Sequence, residues 1–375
     1  MSFGYQVLGF GSFPNRGSTY IPKAAVLFDG TEDYLSRTND GTATSTKKWT
    51  ISYWFKNANP DFSTNTNYQH WAGSSGDSGL SGEYLAGGIG AGAASGEPEY
   101  VITANGETKY SDAKFRDPTA WTHFVCIIDA ANATSASRNL VYKDGVLLTW
   151  ESGTDISDVA YKYMQDGEKQ FWGRMGYTSG SDTFAPGYFA DIAMVDGQAY
   201  APTYFGEYDA ITGIWVPKDL SKSITSWGNF GFWLDFADQN NIGNDVSGNN
   251  NDYTVYGGMG ANNCFPDLPV NDNLNTRAFY PALDPLTKNS SINLTNSNLT
   301  HTGTNGSIDT NTKVNFPLPS TGKFYFELVA GSSSGVYLGV SFGSCANNES
   351  GNGANKGFLY YQANGKLYAN PITAS

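Results

Sequence analysis

Residues 227–256 read WGNFGFWLDFADQNNIGNDVSGNNNDYTVY, and this stretch decides the fold. Phe230, Phe232, Leu234 and Phe236 alternate with Trp233 and Asp235. A period of two, rich in aromatics, is the pattern of a half-buried strand. Asp245, Ser247, Gly248, Asn249, Asn250, Asn251 and Asp252 follow, a composition that turns the chain sharply and offers oxygen ligands. Tyr253–Tyr256 then reads as a second short strand. Strand, Asx-rich turn and strand predict the closing hairpin of a β-sandwich.

The rest of the chain supplies partners for it. Ala24–Phe28 and Tyr34–Leu35 flank an Asp-Gly turn. Lys48–Phe55 places Trp49, Ile51, Tyr53 and Phe55 on one face. A short strand is expected around Tyr84–Ile89. Asn105-Gly106 and Asp144-Gly145 each sit between two β runs, the strongest short hairpin signal. Trp121–Ile128, Lys169–Met175 and Gly187–Val195 are further strands. Roughly a dozen strands over about 230 residues predict a two-sheet jelly roll.

Composition agrees. The 375 residues include 44 Gly, 24 Tyr and 22 Phe, and only 15% are charged. That suits short strands and tight turns, not helical bundles. The net charge of −13, with no basic run, argues against nucleic acid and anionic membranes as partners. No apolar run approaches a membrane span, and no Sec-type signal opens the chain. Cys126, Cys264 and Cys345 are far apart and odd in number, so a disulfide framework is not expected. Cys126, inside an apolar run, reads as a buried thiol.

Four segments emerge. Residues 1–22 form an aromatic N-terminal arm whose Phe3, Tyr5, Leu8, Phe10 and Phe13 gain about 1.5–3 kcal/mol each when buried, which favours anchoring on a partner surface. Residues 23–257 form the sandwich. Residues 258–320 are an Asn-, Thr- and Pro-rich connector, with strand-like alternation at Ser291–Thr295 and Leu299–His301. Residues 321–375 begin a second sandwich, with a hairpin around Asn364-Gly365; its completion is left to further chain or to a partner.

Three segments resemble concanavalin A-like domains of the laminin-G/pentraxin type. They are Phe28–Leu35 leading to Trp49–Phe55, Trp121–Val125 leading to Val141–Val146, and Gly187–Val195. From residue 322, Gly-Lys-Phe-Tyr-Phe-Glu and Gly-Val-Tyr-Leu-Gly-Val resemble the opening of a SPRY domain. The whole arrangement is similar to tail-fibre or receptor-binding virion proteins of marine tailed bacteriophages. The resemblance implies an all-β, concanavalin A-like jelly-roll sandwich with an N-terminal arm and a second, partial sandwich. It also implies a virion location, virion proteins as partners of the arm, and a non-enzymatic role in recognising host surface glycans. Weak sites become useful through several copies, so a symmetric oligomer, a trimer, is expected. The alternatives are a head-decoration or tail-shell protein that binds no glycan, and a glycan-degrading enzyme. Against the enzyme, the Glu-x-Asp-x-Glu strand of related hydrolases is reduced here to Glu207-Tyr-Asp209. His123, in a strand, reads as structural.

Calcium is the one cofactor the resemblance suggests. Asp245, Asn249, Asn251 and Asp252, with Asp29 and Asp33, are its candidate ligands; the same residues also make turns through their own side chains. For glycans, loop aromatics would stack on pyranose faces, and Tyr68, Trp71, Tyr177 and Phe184, together with His70, are the candidates.

Overall fold

The structure is a computed structural model. It describes residues 20–58, 70–74, 83–91, 97–104, 106–117, 120–175, 183–210, 213–265, 268–269 and 283, and short strands within 292–303, 337–341, 357–361 and 366–370. Phe3, Tyr5, Leu8, Phe10, Phe13, Tyr68 and Tyr177 lie outside the described residues. The chain divides into two compact units, Met1–Tyr280 and Pro281–Ser375.

In chain order the first strands are β1 (Ala25–Asp29), β2 (Tyr34–Thr38), β3 (Lys48–Asn57), β4 (Trp71–Ser74), β5 (Leu85–Ala91), β6 (Pro98–Ala104), β7 (Glu107–Lys114), β8 (Thr122–Asp129), β9 (Asn139–Lys143) and β10 (Val146–Leu147). They continue with β11 (Trp150–Gly153), β12 (Lys169–Trp172), β13 (Arg174–Met175), β14 (Thr183–Phe184), β15 (Pro186–Asp196), β16 (Gly206–Tyr208), β17 (Trp215–Pro217), β18 (Phe232–Leu234), β19 (Thr254–Tyr256) and β20 (Cys264–Phe265). One helix, α1 (Leu220–Ser223), interrupts them. The first sheet runs β10-β9-β8-β3-β15-β1-β20, with β18 also on β15. The second runs β11-β7-β6-β5-β4-β12-β2-β19. The pairs are antiparallel, and the chain passes repeatedly between the sheets, as a jelly roll requires.

The core between the sheets is aromatic. Trp49, Ile51, Tyr53 and Phe55 of β3 enter it together, as their alternation predicts. Phe124 of β8 and Phe189 of β15 join them from the same sheet, and Trp71, Tyr100 and Trp172 fill the space from the opposite one. Asp144 and Gly145 both have positive φ, the backbone of a type I′ turn, so the Asp-Gly hairpin forms as expected. Cys126 is a fully buried thiol whose pKa burial pushes up to about 12.

The central strand β15 is buried along its whole length. Its outer face is covered by a second apolar layer, in which Phe205, Leu220 and Ile224 pack on Val125, Ala193, Val195 and Trp233. A β-bulge divides the strand between Ala190 and Ala193, with Asp191 at φ 45°. The extra residue moves the inward face from Phe189 to Ile192 and Met194. It also lets β1 pair with the first half of the strand and β18 with the second.

Residues 227–256 depart from the predicted hairpin. Phe230, Phe232, Leu234 and Phe236 face the core and Trp233 faces the outer layer, as their period demands. But β18 pairs with β15 in the first sheet, and β19 pairs with β2 in the second. The Asx-rich loop crosses from one sheet to the other, so it closes the sandwich without being a hairpin. The first sandwich also extends past residue 257, because Cys264–Phe265 adds to β1.

In the second unit, β21 (Ile292–Thr295) and β22 (Thr300–Gly303) form an antiparallel hairpin. Strands β23 (Tyr337–Ser341), β24 (Gly357–Tyr361) and β25 (Lys366–Asn370) form a three-stranded antiparallel sheet. No helix among the described residues is long and apolar enough to cross a membrane.

Candidate functional site

Three groups of residues in the first unit could carry chemistry. The first is the crossing loop. Asp245 is buried, and its carboxylate accepts from the backbone N–H groups of Trp233 (2.9 Å), Ser247 (2.9 Å) and Asn251 (2.8 Å) and from the Ser247 hydroxyl (2.9 Å). Asp252 accepts from the Asp245 N–H at 2.8 Å. The Asn249 amide donates to the carbonyls of Gly228 and Gly231, and the Asn251 amide to those of Asn229 and Gly231. The structure therefore brings all four predicted calcium ligands together, but their polar atoms bind the loop itself. Both oxygens of Asp245 are engaged by hydrogen donors, and two of the four residues present amide nitrogens to carbonyls. This arrangement does not fit a calcium cage, which needs free oxygens converging on one point. Asp29 behaves alike, capping its turn by accepting from the N–H groups of Thr31, Glu32 and Asp33. Asp33 accepts from Asp29 N–H and from the Asn263 amide. Among the described residues no group of three or more His, Cys, Asp or Glu could hold a metal ion.

The second group is histidine chemistry. His123 Nε2 lies 2.9 Å from Ser52 Oγ, which looks like a nucleophile and its base. The tautomer denies it. Trp215 Nε1 donates to His123 Nδ1 at 2.9 Å, so a neutral ring carries its proton on Nε2 and donates to Ser52. Burial holds the His123 pKa down to about 3, so the ring stays neutral and cannot take the serine proton. His70 is also buried and held down to about 3. The Ile89 N–H donates to its Nε2 at 3.4 Å, and its Nδ1 lies 2.9 Å from the Tyr53 hydroxyl. From there a chain runs through Tyr53 and Tyr100 hydroxyls, 3.0 Å apart, to Cys126 Sγ at 2.9 Å. It satisfies polar groups inside the core and is closed to substrate.

The third group is aromatic. Trp71, predicted on an exposed loop, is fully buried in β4, where its ring meets Tyr163 and its Nε1 donates to the Tyr100 hydroxyl. This corrects the expectation: Trp71 is a core residue because β4 alternates it inward, beside Ala72 facing outward. Phe184 is half-buried in β14 and belongs to a cluster on the outer face of the second sheet. At its centre is Tyr34, 6.1 Å from Phe184 and 6.2 Å from Phe171. The Arg174 guanidinium lies 4.9 Å from the Tyr34 ring centroid. Tyr256 is the direct cross-strand partner of Tyr34 in the β2–β19 pair. The two rings stack at 4.4 Å and 2°. Tyr256 keeps 38% of its surface exposed while stacked on Tyr34. Of the aromatics singled out from the sequence, Phe184 falls in this cluster; Tyr34 and Tyr256, which adjoin only through strand register, were not among them.

No protein-family model matches the chain, and no curated protein matches it. Among solved structures, a candidate carbohydrate-binding protein from Bacteroides ovatus is similar over 63% of this chain and 59% of its own, at 13% identity and a TM-score of 0.39. The LG1–3 region of the laminin α2 chain is similar over 46% of this chain and 31% of its own, at 10% identity and a TM-score of 0.29. Domain 4 of AbnA, a GH43 extracellular arabinanase from Geobacillus stearothermophilus solved with arabinotriose, is similar over 48% of this chain and 94% of its own, at 13% identity and a TM-score of 0.30. Likenesses of this depth bear on neither ligand nor activity.

Proposed function

We propose that the first sandwich is a non-catalytic glycan-binding module whose platform is Tyr256. The observation that carries it is the Tyr34–Tyr256 stack: an exposed tyrosine held flat against a second ring. A rigid aromatic face loses little conformational entropy on binding and suits the apolar face of a pyranose. Phe184 and the Arg174-backed Tyr34 extend the surface. The virion setting, attachment through Phe3, Tyr5, Leu8, Phe10 and Phe13, trimeric assembly and a SPRY-like second unit rest on the sequence resemblance. In that setting, several weak sites on one particle would add avidity.

The test is binding of the full chain to an array of bacterial surface glycans. Tyr256→Ala is expected to weaken retention by roughly tenfold, about 1.4 kcal/mol, while Tyr256→Phe binds nearly as the parent. Equal binding by parent and Tyr256→Ala would move the site elsewhere. No binding by the parent, presented as an oligomer, would remove the glycan reading altogether.

A further inference from the structure

Among the described residues three tyrosines are exposed: Tyr204, Tyr208 and Tyr256. Tyr208 is spent on the fold. Its ring meets Trp215 edge-on, at 4.9 Å and 74°, and its hydroxyl donates to the Asp144 carbonyl at 3.3 Å, closing over the β9–β10 turn. Tyr204 repeats the arrangement of Tyr256. Its ring stacks on Tyr200 at 4.3 Å and 23°, and 41% of its surface stays exposed.

The chain around Tyr204 is mounted rigidly. Pro202–Tyr204 is a single 3₁₀ turn with a buried proline at its start, whose ring fixes the entry angle. The Tyr204 N–H donates to the Ala201 carbonyl at 3.1 Å and the Phe205 N–H to the Pro202 carbonyl at 2.9 Å. Phe205 is buried in the apolar layer over the first sheet, and Tyr200 packs against that layer. Thr50 of β3 clamps the preceding segment: its hydroxyl donates to the Gln198 carbonyl at 2.8 Å and accepts from the Tyr200 N–H at 2.9 Å. Polar groups adjoin the turn. Lys218 Nζ donates to the Thr203 carbonyl at 3.1 Å and lies 3.8 Å from Glu207. Both of these side chains are partly open to solvent, as groups that meet ligand hydroxyls must be.

A preorganised ring loses little freedom on binding, and an aromatic face with polar groups beside it suits a sugar better than a purely apolar partner. The Tyr34–Tyr256 stack lies on the outer face of the second sheet, whereas Tyr200 and Tyr204 pack over the outer face of the first. We propose that Tyr204 is a second saccharide-stacking platform, on the opposite face of the same sandwich, so that one chain binds two saccharides. This rests on the reading of the sandwich as a glycan-binding module.

The test counts saccharides per chain, which does not depend on oligomeric state. The probe is the array glycan that retains the full chain most strongly, taken in solution and measured by equilibrium dialysis. Two per chain are expected for the parent, one for Tyr204→Ala or Tyr256→Ala, and none for the double variant. One per chain that survives Tyr204→Ala and is lost in Tyr256→Ala overturns the second platform and leaves the first standing. One that is lost in Tyr204→Ala and survives Tyr256→Ala places the binding here and removes the first. No retention of the parent by any glycan removes both. Nitration of the unmodified protein by tetranitromethane, mapped by peptide mass, needs no variant to fold. The same glycan is expected to slow nitration of Tyr204 and leave Tyr208 unchanged; equal rates at Tyr204 with and without it overturn the proposal.

Discussion

Replacing Asp245 with alanine is expected to lower stability by about 3–5 kcal/mol, which for a sandwich of this size is a fall in Tm of roughly 10 °C. The substitution strips the acceptor from three backbone N–H groups, those of Trp233, Ser247 and Asn251. Trp233 is buried between β15 and the outer layer, so water cannot replace the lost carboxylate there. A buried donor left without a partner costs about 1–3 kcal/mol; the N–H groups of Ser247 and Asn251, nearer solvent, recover part of theirs. Asn251→Ala is the contrast, since it removes two hydrogen bonds to carbonyls at the edge of the loop and should cost about 1 kcal/mol. The loop has no slack to compensate. A methyl group on Gly243 would sit 1.8 Å from the Tyr253 carbonyl oxygen, so the backbone there cannot shift toward β19. Denaturant unfolding with and without EDTA separates the two readings of this loop. A hydrogen-bonded crossing loses stability in Asp245→Ala and ignores the chelator. A metal-held loop would lose stability in EDTA in the parent, with Asp245→Ala insensitive. A loss below 1 kcal/mol would show that the carboxylate does not organise the crossing.

That loop also shows where sequence reading stops. The alternation of Phe230, Phe232, Leu234 and Phe236 identifies the inward face, because side-chain direction follows from local period. The partner of each strand is not local. β18 joins a strand some forty residues earlier (β15) and β19 one near the start of the chain (β2), so two adjacent strands that read as a hairpin belong to opposite sheets. The Tyr34–Tyr256 platform was hidden for the same reason: neither residue is unusual until register places them face to face. Trp71 misled in the opposite direction. It stands among Gly, Ser and Ala, which read as loop, yet the inward side of a four-residue strand is enough to bury it. The bulge at Asp191 left no mark, because both faces of β15 are covered and its apolar run has no alternation to interrupt. The Asp-Gly hairpin and the faces of β3 were legible because turn chemistry and period act over a few residues.

The bulge carries the second large effect, a destabilising contribution from one buried carboxyl that grows as pH rises from about 4 to 7. Asp191 is 3% exposed, and burial raises its pKa to about 7. Its Oδ1 accepts from the Tyr20 hydroxyl at 2.9 Å and Trp233 Nε1 at 3.1 Å, both of which favour the ionised form. They do not outweigh desolvation, because Oδ2 has no partner and Asp235 adds a like charge; Lys23 offsets it weakly. Asp33 is raised to about 7 as well, by burial and by the charge of Asp29. In the unfolded chain both groups release their protons near pH 4. Between there and about 7 each of these two carboxyls keeps its proton in the native state and has lost it in the unfolded one, so each subtracts about 1.4 kcal/mol of stability per pH unit, and neither subtracts more above 7. On the acid side, Asp29, Asp155 and Asp219 have lowered values, so their contribution is lost as pH falls below about 4. Buried His70 and His123, held down to about 3, act in the opposite sense: below about 6.5 the unfolded chain binds their protons and the native state does not, so between about pH 4 and 6.5 they offset the slope of Asp191 and Asp33 and the parent's stability stays nearly level. Asp191→Asn isolates one share of the slope. Asparagine tolerates the positive φ of this position, and its carbonyl oxygen can still accept from Tyr20 and Trp233. The variant should match the parent at pH 4.5 and exceed it at pH 8 by about 3–4 kcal/mol. Parallel unfolding free energies for parent and variant across that range would show that Asp191 ionises in the folded protein as freely as in the unfolded one, and that the bulge holds no buried proton.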